Sequence, residues 1–418
     1  MFEAGPTKAQ PFSESQLMKR LLLFSFLGVA STLAAADPPV AQFRPVDVDT
    51  KVEIGYGVTV VDVDGDKKPD ILLADKNLMV WYKNPTWEKH IIAEKLTPLD
   101  HVCIAAADIN GDGRAEVAAG AAWNPGDTLT SGSVHYLIPP ADRSQKWDPV
   151  TLPHEPTVHR MRWVKNAAGK YDLVVVPLHG RGNKNGQGDG VRILAYQMPA
   201  DPRQPWTTEL IDDTLHMTHN FHPVQWDADP AEELLVAGKE GVFLFDRGPD
   251  NWKRAQLVGN EAGETNFIGA GEIRTGKLPG GKRFLATVEP MHGNQAVTYT
   301  PPAPDSQRSF WTRNVLDDTI VDGHAVACGD LSGAGYDQVV VGWRAMNKSG
   351  VKVGIRLYVP LDKEGKTWKQ TVVDDNTMAC EDLCLADLNG DGKPDIVAAG
   401  RATKNLKIYL NTGTAASN

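Results

Sequence analysis

The sequence predicts an all-β chain folded as a seven-bladed β-propeller, with four antiparallel strands to a blade. Three observations predict it. An acidic turn recurs seven times, a tryptophan signal recurs in phase with it, and helical periodicity is nearly absent. The clearest turn lies in residues 385–398, LADLNGDGKPDIVA, with Asp387, Asn389, Asp391 and Asp395 at positions 1, 3, 5 and 9. Gly390 and Gly392 stand where the backbone must bend sharply, which glycine does at least cost. Apolar runs lead in and out with no helical pattern, so the unit reads strand–loop–strand.

Two further strong copies carry Asp62, Asp64, Asp66 and Asp70, and Asp108, Asn110, Asp112 and Glu116. Weaker copies lie at 225–233 and 330–338, and eroded ones at 163–176 and 272–288. Trp87, Trp147, Trp206, Trp252, Trp311 and Trp368 each begin a Trp-x4-aliphatic segment. A strand before the turn, one after it, an aromatic-containing third and the Trp-x4 fourth make a meander. Alone it cannot bury both faces, but seven packed radially can. The last repeat stops after its third strand. The missing fourth matches residues 43–48, where Phe43 replaces Trp, so the N-terminal strand is expected to complete the last blade.

The domain reading follows. Residues 37–418 form one propeller, with blades over 43–411 and loose tails at 37–42 and 412–418. Residues 18–36 read as a signal peptide: Met18-Lys19-Arg20, a short apolar core, then Ala34-Ala35-Ala36. Residues 1–17 do not resemble a signal n-region and read as a mis-assigned start. The expected location is periplasmic or secreted. The net charge of −10, without any run of Lys or Arg, argues against nucleic acid and anionic membrane partners. Cys103, Cys328, Cys380 and Cys384 fall on innermost strands and read as buried free thiols.

Chemistry concentrates at two ends of the repeat. Alternating oxygen donors in the three strong loops suit calcium in a structural role. At the opposite end, five to seven positions before each loop, stand His101, His159, His219, Asn266, His324 and Glu381, with Tyr56 in the first blade. After the second strands stand Lys76, His179 with Arg181, Lys239, Glu289 with His292, Trp343 with Arg344, and Arg401. Packing alone would repeat one small residue around the ring, whereas these positions vary among His, Glu, Lys and Arg. Imidazoles facing one another across a channel mouth bind a zinc-like transition metal.

The acidic loops resemble those of FG-GAP/VCBS repeats of integrin-α-like propellers. That resemblance implies innermost strands lining a central channel. Residues 322–344, from Asp322-Gly-His324 to Trp343-Arg344, and the His159-Arg160-Met161-Arg162-Trp163 run resemble more narrowly the propeller domain of aldos-2-ulose dehydratase. This implies metal-assisted dehydration of a ketosugar such as 1,5-anhydrofructose. That family also carries cupin domains, which do not appear in this sequence. The expected function is a lyase that abstracts an α-proton and eliminates the β-hydroxyl. His101, His159, His219 and His324 are the ligand pool, and Glu381 or His292 is the base. Arg344 or Lys239 holds substrate oxygens, and His179, Arg181, Trp343 and Arg401 contact the sugar. The alternative is a non-catalytic, calcium-stabilised propeller that binds glycans or a protein.

Overall fold

The computed structural model describes residues 38–248, 251–346 and 350–414. The readings of 1–17 and 18–36 lie outside them. The described residues form seven four-stranded antiparallel sheets, each a blade. The innermost strands are Gly57–Val61, Cys103–Ala107, Val158–Lys165, Thr218–Val224, Glu272–Lys277, Gly323–Gly329 and Cys380–Ala386. Each pairs with the strand beyond its acidic turn, and these second strands are almost wholly buried, as in Asp70–Ala74 and Gln338–Trp343. Burial on both faces explains why they read as continuous apolar runs rather than alternating ones.

The ring closes as the sequence predicts. Ala41–Asp49 pairs antiparallel with Asn405–Thr414 and completes the seventh blade. Pairing runs further than expected: Ala41 meets Thr414, so part of each expected tail belongs to the ladder.

Adjacent blades share apolar clusters. Trp206, from the outer strand region of blade 3, packs against Tyr136 of blade 2 and Trp163, with ring centroids 5.5 and 6.4 Å away. Its indole N–H donates to the Pro202 carbonyl at 3.0 Å, so a buried polar atom is satisfied. A second device is polar. A tyrosine of the third strand reaches an acid of the preceding blade: Tyr82 to Asp49, Tyr358 to Asp317 and Tyr409 to Asp374, at 2.6, 2.6 and 2.8 Å. All four cysteines are free and lie on innermost strands, and burial pushes the Cys103 thiol up to about 12.

The acidic turns are held by their own backbones. Asp70, Glu116 and Asp395, at position 9, are buried and accept the N–H of Val63, Ile109 and Leu388. In blade 6 the neutral Gln338 does the same for Leu331 at 2.7 Å. Position 9 therefore works as a turn staple whether or not it carries charge.

Candidate metal centre at the channel mouth

Four residues owe their position to a local defect in the innermost ladder. In blades 3, 4, 6 and 7 the register between first and second strand slips once. The extra residues are His159, His219, His324 and Glu381. Blades 1, 2 and 5 pair without a slip. Strand alternation would place His159 on the face of Met161 and Trp163, which are buried between blades. The bulge breaks that phase and turns the imidazole to the mouth.

The three bulged imidazoles meet a fourth. Nitrogens of His219, His292 and His324 all lie within 4.8 Å of one another. His219 Nε2 and His292 Nε2 are 2.7 Å apart, and the His292 and His324 rings have centroids 4.7 Å apart. His159 borders the group, 4.7 Å from His219 by centroids and stacked on Trp123 at 4.9 Å. Backbone carbonyls fix the tautomers. His159 Nδ1 donates to the His219 carbonyl at 2.8 Å, His219 Nδ1 to the Gly271 carbonyl, and His324 Nδ1 to the Glu381 carbonyl. On His219 and His324 the Nε2 lone pair is thereby left for the interior, while His159 Nε2 accepts from Arg160 at 2.9 Å. Behind His219, Glu272 Oε1 lies 3.6 Å from Nδ1, the carboxylate-behind-imidazole arrangement of metal sites. Burial, followed by neighbouring guanidiniums and imidazoles, pushes His159 and His324 well below the usual histidine range; burial also lowers His219 and His292. Neutral imidazoles are the form that ligates. The donor set thus fits a borderline divalent metal, with His219, His292 and His324 to hold it.

Beside this group runs a charged chain. Glu381, 1% exposed, takes Arg344 Nη1 on one oxygen and Arg401 Nη1 on the other, at 2.5 and 2.9 Å. Arg344 Nε also donates to Asp322 at 3.2 Å, and Asp322 lies 3.9 Å from His292 Nδ1. His292 and Asp322 both have left-handed backbones, φ 51° and 58°, an uncommon conformation that is concentrated at functional sites. Asp322, Arg344 and Arg401 line an open cleft of about 420 Å3.

The structure redistributes the expected roles. His101 does not join the cluster: its blade has no bulge, and its Nε2 accepts the Leu96 N–H at 3.2 Å. His292 joins the nitrogen group rather than standing apart as a base. Glu381 has both oxygens taken by guanidiniums, so neither is free to face a substrate in the cleft. Trp343 is turned away: it is 5% exposed in an inter-blade cluster, its N–H on the Lys352 carbonyl and Arg356 over its ring. Lys239 reaches the Asn185 carbonyl at 3.3 Å, and Arg181 pairs with Glu155 at 3.2 Å. His179 sits in an isolated bridge with Met217. Glu272, Asp322 and Trp123 escaped sequence reasoning. Only Asp322 had a signal, its place in the Asp-Gly-His run.

At the acidic-turn end, Asp62, Asp64 and Asp70 come within 4.8 Å, although Lys83 also reaches Asp64. Of the three strong loops, only this one is grouped among the described residues; those of Asp108, Asn110, Asp112 and Glu116 and of Asp387, Asn389, Asp391 and Asp395 are not. Asp66 leans on Lys83 at 3.3 Å. The weaker fourth copy assembles a larger group, because Asp246 of the third strand joins Asp227, Asp229 and Glu233.

Residues 131–302 match the aldos-2-ulose dehydratase β-propeller domain family. Residues 62–119 match an FG-GAP-like repeat and 104–137 an FG-GAP repeat. The chain is 23% identical over 398 residues to aldos-2-ulose dehydratase of Phanerodontia chrysosporium, covering 86% of this chain and 42% of that protein. It therefore spans less than half the length of this curated relative. Solved structures share the fold. One from the mitotic checkpoint complex has TM-score 0.53 at 11% identity, covering 95% of this chain and all of that one. The Cps50 (Swd1) propeller of Myceliophthora thermophila has TM-score 0.52 at 10% identity, covering 88% and 100%. The chain is a seven-bladed propeller that matches FG-GAP repeats over residues 62–137 and is similar over residues 131–302 to the β-propeller domain of aldos-2-ulose dehydratase.

Proposed function

We propose that the mouth is the active site of a secreted or periplasmic carbon–oxygen lyase acting on a ketosugar of the 1,5-anhydrofructose type. The observation that carries the proposal is the convergence of His219, His292 and His324 beside a cleft lined by Asp322, Arg344 and Arg401. A divalent transition metal held there supplies Lewis-acid polarisation of the ketone oxygen. Arg344 and Arg401 line the cleft that receives the sugar, and their guanidiniums orient its oxygens. Asp322 is the base: its side chain is 30% exposed and faces the cleft, whereas both Glu381 oxygens are occupied. It removes the proton α to the ketone. The same carboxyl, now protonated, returns the proton to the departing β-hydroxyl, so that one water leaves and a conjugated enone remains. Calcium in the acidic turns has a structural role at the other end.

The test is metal analysis and turnover of the full chain purified without chelator, beside His324→Ala and Asp322→Asn. The reading expects one transition metal per chain, lost in His324→Ala, and enone absorbance from 1,5-anhydrofructose. Asp322→Asn should keep the metal and lose turnover about 100-fold or more. Calcium alone, equal in all three proteins and without turnover, would leave a glycan- or protein-binding propeller.

A further inference from the structure

Below the histidines the channel holds a recessed cavity of about 130 Å3, walled by innermost strands. Its lining includes Arg160, Arg162, Arg274, His222 and Asp382. In blade 3 this follows from the bulge: once the ladder resumes, alternate residues Arg160 and Arg162 face the channel, whereas Arg274 comes from the unslipped ladder of blade 5.

The charges in this wall do not balance. Three guanidiniums carry fixed positive charge. Two carboxylates face them and offset their charge only in part. Glu272 accepts from Asn220 at 2.7 Å and lies 3.7 Å from Arg274. The Asp382 oxygens accept the backbone N–H groups of Val58 and Leu383 at 2.9 and 3.0 Å. Among the described residues, no carboxylate lies within the 4 Å of an ion pair from Arg160 or Arg162, while Arg274 has Glu272. Arg160, 5% exposed, donates instead to the His159 carbonyl and Nε2, both at 2.9 Å, and Arg162 donates to the Met161 carbonyl at 2.7 Å. Burial, then Arg274, lowers Arg162, and burial with both arginines pushes His222 down to about 3. Three guanidiniums against two carboxylates leave a net positive charge largely withdrawn from water, which is costly, and a pocket that gathers such charge is an anion site.

We infer that this cavity binds one small oxyanion, of the carboxylate or inorganic phosphate class, between Arg160, Arg162 and Arg274. The volume of about 130 Å3 is enough for formate, acetate or phosphate. Planar guanidinium forks suit two-oxygen acceptors. Because Arg160 also bonds His159, the anion's charge is felt at the floor of the histidine group.

The experiment uses the full chain, stripped of metal and exchanged into low-salt zwitterionic buffer. Formate and inorganic phosphate are titrated by calorimetry and thermal melting. The inference expects saturable one-to-one binding by at least one of them and a melting temperature that rises with its concentration. Arg162→Met should weaken binding at least tenfold, and Arg162→Lys should weaken it less. Without anion, Arg162→Met should melt no lower than the parent, since it removes an unbalanced cation. Absence of saturable binding in the parent would overturn the inference. So would binding that persists unchanged in both Arg162→Met and Arg274→Met, which would put the anion on the surface. Binding is read without metal or turnover, so this result is separate from the fate of the lyase reading.

Discussion

Replacing Glu272 by Gln tests whether the histidine group is built as a metal site or merely packed. Glu272 is 1% exposed, 3.6 Å behind His219 Nδ1, and near-isosteric with Gln. Burial alone would raise its carboxyl, but His219, Arg274 and Arg160 outweigh burial and hold it below the ordinary range. It is therefore an anion, and it makes His219 a stronger donor. Loss of such a backing carboxylate costs about 10- to 100-fold in metal affinity, or ~1.4 to 2.8 kcal/mol. Stability also falls, by about 1–3 kcal/mol, because Arg274 loses its buried partner at 3.7 Å. Affinity must therefore be measured well below the melting transition, by competition with a zinc-responsive indicator. The direct bond from His219 Nδ1 goes to the Gly271 carbonyl, which Glu272→Gln leaves in place. Affinity within twofold of the parent, with the fold intact, would mean that the carbonyl alone orients the ring and that the carboxylate contributes nothing. That result would refute the reasoning.

Other consequences are also measurable. Asp317→Ala strips partners from Tyr358 and Arg356 in the gap between blades 5 and 6 and should cost about 3 kcal/mol in denaturant unfolding. His135, buried on Ser133 and Thr151, is pushed down to about 4 by burial and then by His101 and His154. The unfolded chain binds its proton near pH 6.5 and the folded chain only near 4. Stability is therefore full above 6.5 and is lost as pH falls through that window, by up to about 3 kcal/mol. His135→Gln should flatten this limb of the pH–stability curve. Calcium at a hundredfold excess over its Kd should add about 2.7 kcal/mol per site, and Asp246→Asn should remove the share of blade 4 in calcium-dependent melting. Removing residues 1–49 deletes the closing strand and its ladder with Asn405–Thr414, and should cost more than about 5 kcal/mol or abolish the cooperative transition.

Sequence by itself determined the architecture. Repeat period, turn chemistry and strand alternation are local signals, and seven in-phase copies leave one way to bury both faces of every meander. The closing role of the strand at 43–48 was legible for the same reason, because a fourth strand was missing at one end and present at the other. It also located the mouth, since strand direction alone places His159, His219, His324 and Glu381 at one end of the channel. What only the tertiary structure decided is which of these side chains meet. His101 and His159 occupy equivalent repeat positions, yet a bulge turns one to the group and its absence leaves the other on a backbone N–H. A bulge is a one-residue slip in pairing, and it has no composition of its own to read. His292 joins His219 across 73 residues of chain, and Asp246 joins Asp227 and Asp229 from a different strand. Glu272, Arg160 and Arg162 acquire meaning only where seven innermost strands converge and enclose their charges together. Those contacts are set by the closure of the ring, which brings together residues that no sequence window contains.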